Sequence, residues 1–346
     1  MTDRTLFARF LLLLFLGLFL SGFILPRRYD IPYPKTPGPQ FTPNVRREHI
    51  DAISVNQSEL VLVGDSVLYL GIDPDALSGQ LDLGTYSMGV PGSGSAVWYL
   101  ILKNIILDAV PRPKAVVILF RDTMLTAPSY RTTGRYFGIV DEFASRNESL
   151  LTRLAYIDQM NPLEKLAEQY LPLYSARWEI REGLDRRIRY TAPGALLGCA
   201  SDCTDDAINS TFGRDRVDAV ALNQAVEDAG AILYSKDAMD FDDQIDGSFL
   251  PAMIQLAEEN GIVLIFVRTK TLIFPEAAAE PLALRGYIES LDRYLSQQEQ
   301  VYFIDFAHDA RLDNTYFLDS MHFNAEGKTA FTRILADELR PILNRP

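Results

Sequence analysis

Residues 60–66 read Leu-Val-Leu-Val-Gly-Asp-Ser, an unbroken apolar run that stops at glycine and opens directly onto an acid and a hydroxyl. A short β-branched run of this kind is the mark of a strand buried on both faces, as in a parallel sheet. Further strands are expected at Gly84–Met88, Ala115–Phe120 (AVVILF), Ile262–Val267 (IVLIFV) and Val301–Phe306 (VYFIDF). Residues 94–107 are long and apolar enough for a covering helix, and 279–298 read as another. Phe331, Ile334, Leu335 and Leu339 fall on one face of a C-terminal helix. Strands alternating with helices predict βαβ units, with a parallel sheet covered on both faces.

The first residues read differently. Arg4 and Arg9 precede the apolar run Phe10–Pro26, and Arg27, Arg28 and Asp30 close it. Its length lies at the short end of a membrane span and the long end of a signal-peptide core. It lacks a clean small-x-small cleavage site and a cysteine for lipid attachment, so residues 1–28 are expected to be an uncleaved anchor, with a cleaved signal as the alternative. Residues 29–45 hold five prolines and read as an extended spacer, within a linker drawn at 29–50. The remaining 51–346 form the folded domain. Within it, 125–247 are far longer than a crossover needs and are expected to form a mainly helical insertion, a lid or subdomain. Helical pieces are expected there at Glu148–Gln159, Pro162–Tyr170 and Trp178–Arg189. Cys199 and Cys203 are read either as a disulfide, which suits an exported chain, or as two separate thiols.

Composition excludes several functions. The 346 residues carry a net charge of −13, from 33 Lys+Arg and 46 Asp+Glu. Nucleic acid is therefore not an expected partner, since phosphate binding needs a basic surface. The acidity is uneven, with 12 Asp/Glu against 3 Lys/Arg in residues 202–246. Two cysteines are too few for a disulfide scaffold or a structural zinc site. With three histidines, His49, His308 and His322, any imidazole chemistry must use one of these. Asp305 and His308 lie near the end of the last strand, but two residues do not make a metal site, and neither metal nor cofactor is expected.

Ligands of open parallel sheets bind beyond the carboxyl ends of the strands. Ser66 follows the first strand and starts a helix, whose N-terminal N–H groups favour an oxyanion. The plainer reading of Gly64-Asp65-Ser66 is a helix cap. A serine nucleophile also needs a base, and the base needs a carboxylate to orient it. Asp319-Ser320-Met321-His322, just before the last helix, supplies both within one turn. The plainer reading there is a surface acid and a capping histidine. A wound sheet brings both segments to the same edge.

These residues resemble the SGNH/GDSL hydrolase superfamily. Gly64-Asp65-Ser66 matches its first block and Asp319-Ser320-Met321-His322 its Asp-x-x-His block, while Ser87-Met88-Gly89-Val90-Pro91-Gly92 looks like the second block. The likeness covers about 55–125 and 250–345. It implies a flavodoxin-like three-layer α/β/α fold, with Ser66 as nucleophile, His322 as base and Asp319 as orienter. It also implies an oxyanion hole from the backbone N–H groups of Ser66 and Gly92. Two departures stand out. Ser87 replaces a common Asn, and the third block reads Phe120-Arg121-Asp122-Thr123, without the usual Asn. Arg121 either supports the oxyanion electrostatically or pairs with Asp122.

The anchor and the insertion resemble the exported branch of the superfamily, the alginate O-acetylation and D-alanyl-lipoteichoic acid type proteins. That likeness implies an extracytoplasmic, membrane-anchored acyl-ester enzyme, an O-acyltransferase or esterase on carbohydrate, with a membrane-bound O-acyltransferase as a possible partner. Tyr130, Tyr136, Phe137, Tyr170, Tyr174 and Trp178 are either core or stacking groups for sugar rings. The competing reading is a non-catalytic binding or assembly partner on the same fold.

Overall fold

The computed structural model describes residues 3–41, 45–181, 183–184, 187 and 230–344. Cys199 and Cys203 lie outside them, as do residues 182, 185, 186, 188 and 189 of the expected Trp178–Arg189 helix, whose described residues are helical. The chain divides into two compact units. One comprises Met1–Gln40 with Tyr156–Asp228, and the other Phe41–Ala155 with Ala229–Pro346.

The larger unit is built on five parallel strands, β1 (Leu60–Gly64), β2 (Thr85–Gly89), β3 (Ala115–Phe120), β4 (Val263–Arg268) and β5 (Val301–Asp305). Their order is β2-β1-β3-β4-β5. Register is continuous across the sheet, with Leu62 beside Ser87 on one side and Val117 on the other, and Phe266 between Ile118 and Phe303. The central strands are buried along almost their whole length, whereas the edge strands β2 and β5 are mixed. This burial on both faces is why β1 and β3 appear in the sequence as unbroken apolar runs.

The helices bounded within the described residues are, in chain order, α1 (Asp3–Tyr29), α2 (Arg47–Val55), α3 (Ser66–Gly71), α4 (Pro74–Leu81), α5 (Ser95–Ile101), α6 (Phe137–Phe143), α7 (Ser149–Leu151), α8 (Pro162–Tyr170), α9 (Pro172–Ser175), α10 (Phe241–Gln244), α11 (Leu250–Glu259), α12 (Leu282–Leu295) and α13 (Ala325–Leu343). Alternation along the strands sorts side chains between the two faces. One face packs Leu60, Leu62, Val117, Leu119, Ile265 and Val267 against Leu68 of α3, Leu77 of α4, and Phe331, Leu335 and Leu339 of α13. The other is covered by α5 and α11, with Trp98 fully buried. The result is the three-layer, flavodoxin-like α/β/α fold expected from the sequence. The covering helix expected over 94–107 is observed as α5 followed by a π-helical turn, Leu102–Ile106.

Residues 125–155 and 229–247, expected in the insertion, belong to the sheet-bearing unit. The helix expected from Glu148 is α7, which passes into a π-helical turn over Thr152–Ile157.

In the smaller unit, α1 runs through Pro26 to Tyr29 rather than ending at the proline. Its window over Thr5–Tyr29 is long and apolar enough to cross a membrane, and none of it is buried by protein. The proline-rich segment that follows is docked, not a free tether. Ile31 and Lys35 are buried, and Lys35 Nζ donates to Glu168 Oε1 at 3.0 Å and to the Ser175 carbonyl at 3.1 Å. Prolines hold the segment extended, and the buried ammonium requires an anionic partner, which α8 supplies. α8 itself begins as its sequence dictates: Asn161 accepts from Leu163 and Glu164 N–H, Glu164 reaches back to Asn161 N–H, and Pro162 occupies the first turn.

Candidate active site

The site forms where β1, β3 and β4 end. β1 stops at Gly64, where an added Cβ would lie 2.8 Å from the Leu68 side chain and 3.2 Å from the Leu119 carbonyl. Asp65 then caps α3, accepting from Val67 N–H at 2.9 Å, with extended backbone. The cap and the site are thus not alternatives. Asp65 holds the helix start, and Ser66, the first helical residue, is turned to the imidazole of His322. Ser66 Oγ and His322 Nε2 are 2.9 Å apart.

The other ring nitrogen, Nδ1, lies 2.8 Å from Asp319 Oδ2. Asp319 Oδ1 accepts from the backbone N–H groups of Met321 at 2.7 Å and His322 at 2.8 Å. One carboxylate therefore builds the turn that presents the histidine and orients its ring. Burial pushes the Asp319 carboxyl up, but the imidazole and these two N–H groups outweigh it and hold the carboxyl below its usual range. The loop closes through an antiparallel bridge between Phe317 and Phe323, and through Leu318 N–H donating to the His322 carbonyl at 2.8 Å. Phe323 stacks between Phe317 and Phe331. A Cβ on Gly71, at the end of α3, would lie 3.1 Å from the Phe323 ring. The helix carrying Ser66 and the loop carrying His322 thus pack against each other directly.

The turn carrying Gly92 is tied to the end of β1. Val90 N–H donates to the Gly64 carbonyl at 2.9 Å, and Ser93 Oγ donates to the same oxygen at 3.1 Å. Gly92 has φ +82°, and a Cβ there would lie 3.2 Å from the Tyr136 ring, so glycine is required twice over. Ser87 lies inside β2, paired in register with Leu62, and not at the sheet rim.

Arg121 follows β3 and is 2 % exposed. The pair expected with Asp122 is not formed. Arg121 Nη2 lies 3.8 Å from Asp65 Oδ2 and donates to Tyr130 Oη at 3.5 Å, while Nε is buried without a partner. Burial disfavours the guanidinium charge, but Asp65 and the groups around it outweigh that and raise its pKa. Tyr130 is almost fully buried here and so belongs to the core. Of the other aromatic residues considered for sugar stacking, Tyr136 and Phe137 lie in this unit, whereas Tyr170, Tyr174 and Trp178 lie in the smaller one.

Asp122 instead pairs with Arg268, at 2.9 Å, and accepts from the Tyr234 hydroxyl at 2.5 Å. Arg268 also pairs with Glu280 and, at 3.3 Å, with Asp305. His308 Nε2 meets Glu280 at 3.2 Å. Arg268, Asp122 and Glu280 thus form a buried ion cluster, with exposed Asp305 and half-buried His308 at its rim. Arg268 carries no motif that marks it in the sequence, although it ends a parallel strand just as Gly64 and Phe120 do, at the rim where ligands bind.

No family model and no curated protein matches the chain. Among solved structures it is similar to an acylhydrolase-like protein of Bacteroides fragilis (12 % identity, 86 % of this chain and 96 % of that one, TM-score 0.40). It is also similar to a GDSL-like lipase of Bacteroides thetaiotaomicron (10 %, 86 % and 98 %, 0.40) and to a G-D-S-L family lipolytic protein of Desulfitobacterium hafniense (12 %, 81 % and 98 %, 0.34). Likenesses this distant decide nothing about chemistry, which rests on the residues themselves. The chain is a flavodoxin-like α/β protein that gathers Ser66, His322 and Asp319 into one hydrogen-bonded relay at the carboxyl edge of its sheet.

Proposed function

We propose that this protein is a serine-dependent acyl-ester enzyme, anchored to a membrane by α1, with its folded part outside the cytoplasm. The carrying observation is the continuous relay from Ser66 Oγ through His322 to Asp319, at 2.9 and 2.8 Å. Serine alone is a poor nucleophile at neutral pH, and this arrangement activates it. In the proposed reaction, Ser66 Oγ bonds to the acyl carbon while its proton passes to His322 Nε2. The carbonyl oxygen becomes an oxyanion, held by the backbone N–H groups of Ser66 and Gly92, with the positive charge of Arg121 nearby. Collapse expels the alcohol, which takes the proton from His322 and leaves an acyl-Ser66 ester. Water then releases the acid, or a sugar hydroxyl takes the acyl group.

The finer reading is an O-acyltransferase or esterase acting on acylated exported carbohydrate, beside a membrane-bound O-acyltransferase. It is supported by the apolar α1 and by the resemblance of the chain's layout to exported members of the superfamily. A non-catalytic assembly role has one motive, the missing Asn after β3. Against that motive stands the Ser66–His322–Asp319 relay, which an assembly role does not need.

A fluorophosphonate probe tests the proposal. Wild type is expected to label covalently, and Ser66→Ala not at all. Absence of wild-type labelling, or equal labelling of the two, overturns the acyl-enzyme route. A cellular phenotype that survives Ser66→Ala and His322→Ala would favour the assembly role.

A further inference from the structure

We infer that α8 and α9 lie in the headgroup–acyl interface of a lipid bilayer, giving the smaller unit a second membrane contact beside α1. This rests on the reading of α1 as a membrane span. α8 is amphipathic in the wrong sense for water. Leu163, Leu166 and Tyr170, at i, i+3 and i+7 on one face, are 78 %, 56 % and 60 % exposed, and Leu173 of α9 is 46 % exposed. The opposite face carries Glu168, which is buried against Lys35 at 3.0 Å and Arg177 at 2.5 Å. A helix on a wet surface turns its acids outward and its leucines inward. Here a buried ion pair holds the reverse orientation.

The location agrees with the polarity. α9 packs against α1. The segment leaving α1 is fastened to both short helices, through Lys35 N–H donating to the Gln169 carbonyl at 3.0 Å and Tyr33 Oη meeting Ser175 Oγ at 2.6 Å. α1 exposes Leu12, Phe15 and Phe19 on its length and ends in Arg27, Arg28 and Tyr29, the residues that favour a membrane boundary. A groove beside that last turn is lined by Arg28 and Arg187 together with Ile24, Ile180, Leu184 and Glu179. Lipid phosphates suit the two guanidinium groups. A bilayer is the occupant that accounts for the inverted helix and for the bare apolar helix packed beside it.

The full chain in phosphatidylcholine vesicles, containing a phospholipid with an acyl-chain diazirine, tests this. Photolysis and peptide mapping are expected to find lipid adducts on α1 and on residues 162–175. Leu163→Glu/Leu166→Glu is expected to lower the 162–175 adducts at least about tenfold while leaving those on α1 unchanged, because both leucines lose their apolar contact with lipid. Adducts confined to α1 overturn the inference and leave the span intact. Adducts on neither overturn the span as well. Protein–protein cross-links at 162–175 in place of lipid assign the face to a second copy or another protein, and also overturn it.

Discussion

Asp319 divides its two oxygens between tasks, one shaping the loop and the other steering the imidazole. Asp319→Asn keeps an acceptor for the loop but places an amide against Nδ1, which favours the wrong tautomer. Turnover of an activated ester is expected to fall about 10⁴-fold, the size seen when a triad carboxylate is so replaced. Thermal stability should be modestly lower than wild type at neutral pH, and the difference should close in acid. The carboxyl is held below its usual range, so its stabilising contribution is present above the unfolded-state value, ~3.9, and is lost as pH falls through the lower folded value. Denaturation measured from pH 6 downward should therefore show a shallower acid loss in Asp319→Asn than in wild type. Ser66, Asp319 and His322 were legible because the chain has three histidines, and one of them follows an aspartate by three residues at the same sheet edge where a strand delivers a serine. Arg121 was visible only as an ambiguity. It read as oxyanion support or a pair with Asp122, and its contact with Asp65 depends on the backbone after β3, where Asp122 has φ +45°.

At the scale of elements, strands buried on both faces announced themselves, and β1 and β3 coincide with the runs read from sequence. β4 continues one residue beyond its apolar run, to Arg268, because the ladder is backbone-bonded and indifferent to the side chain at its end. That one residue hid the ion cluster. Arg268→Met leaves Asp122, Glu280 and Asp305 without their shared cation, and chemical denaturation is expected to show a loss of ~3–5 kcal/mol. Packing between elements was equally silent in the sequence. Gly71→Ala presses a methyl onto Phe323, which two other rings already confine. A stability loss of ~1–3 kcal/mol is expected. Fluorophosphonate labelling of Ser66 should slow as well, because the displaced ring adjoins His322.

For the whole molecule, the proline-rich segment shows where composition stops informing. Prolines dictate an extended backbone, but nothing in their number says that Lys35 lies buried against Glu168. Lys35→Met removes one of the two cations on that acid, Arg177 being the other. The expected loss is ~1–3 kcal/mol, and it should be local. Amide exchange should accelerate across 31–40 and 162–175 and remain unchanged in β1, β3 and β4. Acceleration spread evenly over the sheet would show that the two units unfold as one. The charge of −13 likewise becomes a distribution, since residues 202–246 carry much of the acidic excess.

The hydrogen bond between Ser66 and His322 joins residues 256 apart in the chain. A growing polypeptide therefore displays its serine long before it owns the imidazole that would arm it. On the proposed function, a chain still being synthesised is chemically silent. Only when α13 has settled against α3 and α4 does the relay close. On the proposed function, reactivity is thus a clock for completed folding, and a nascent chain cannot cleave esters in the compartment where it is made.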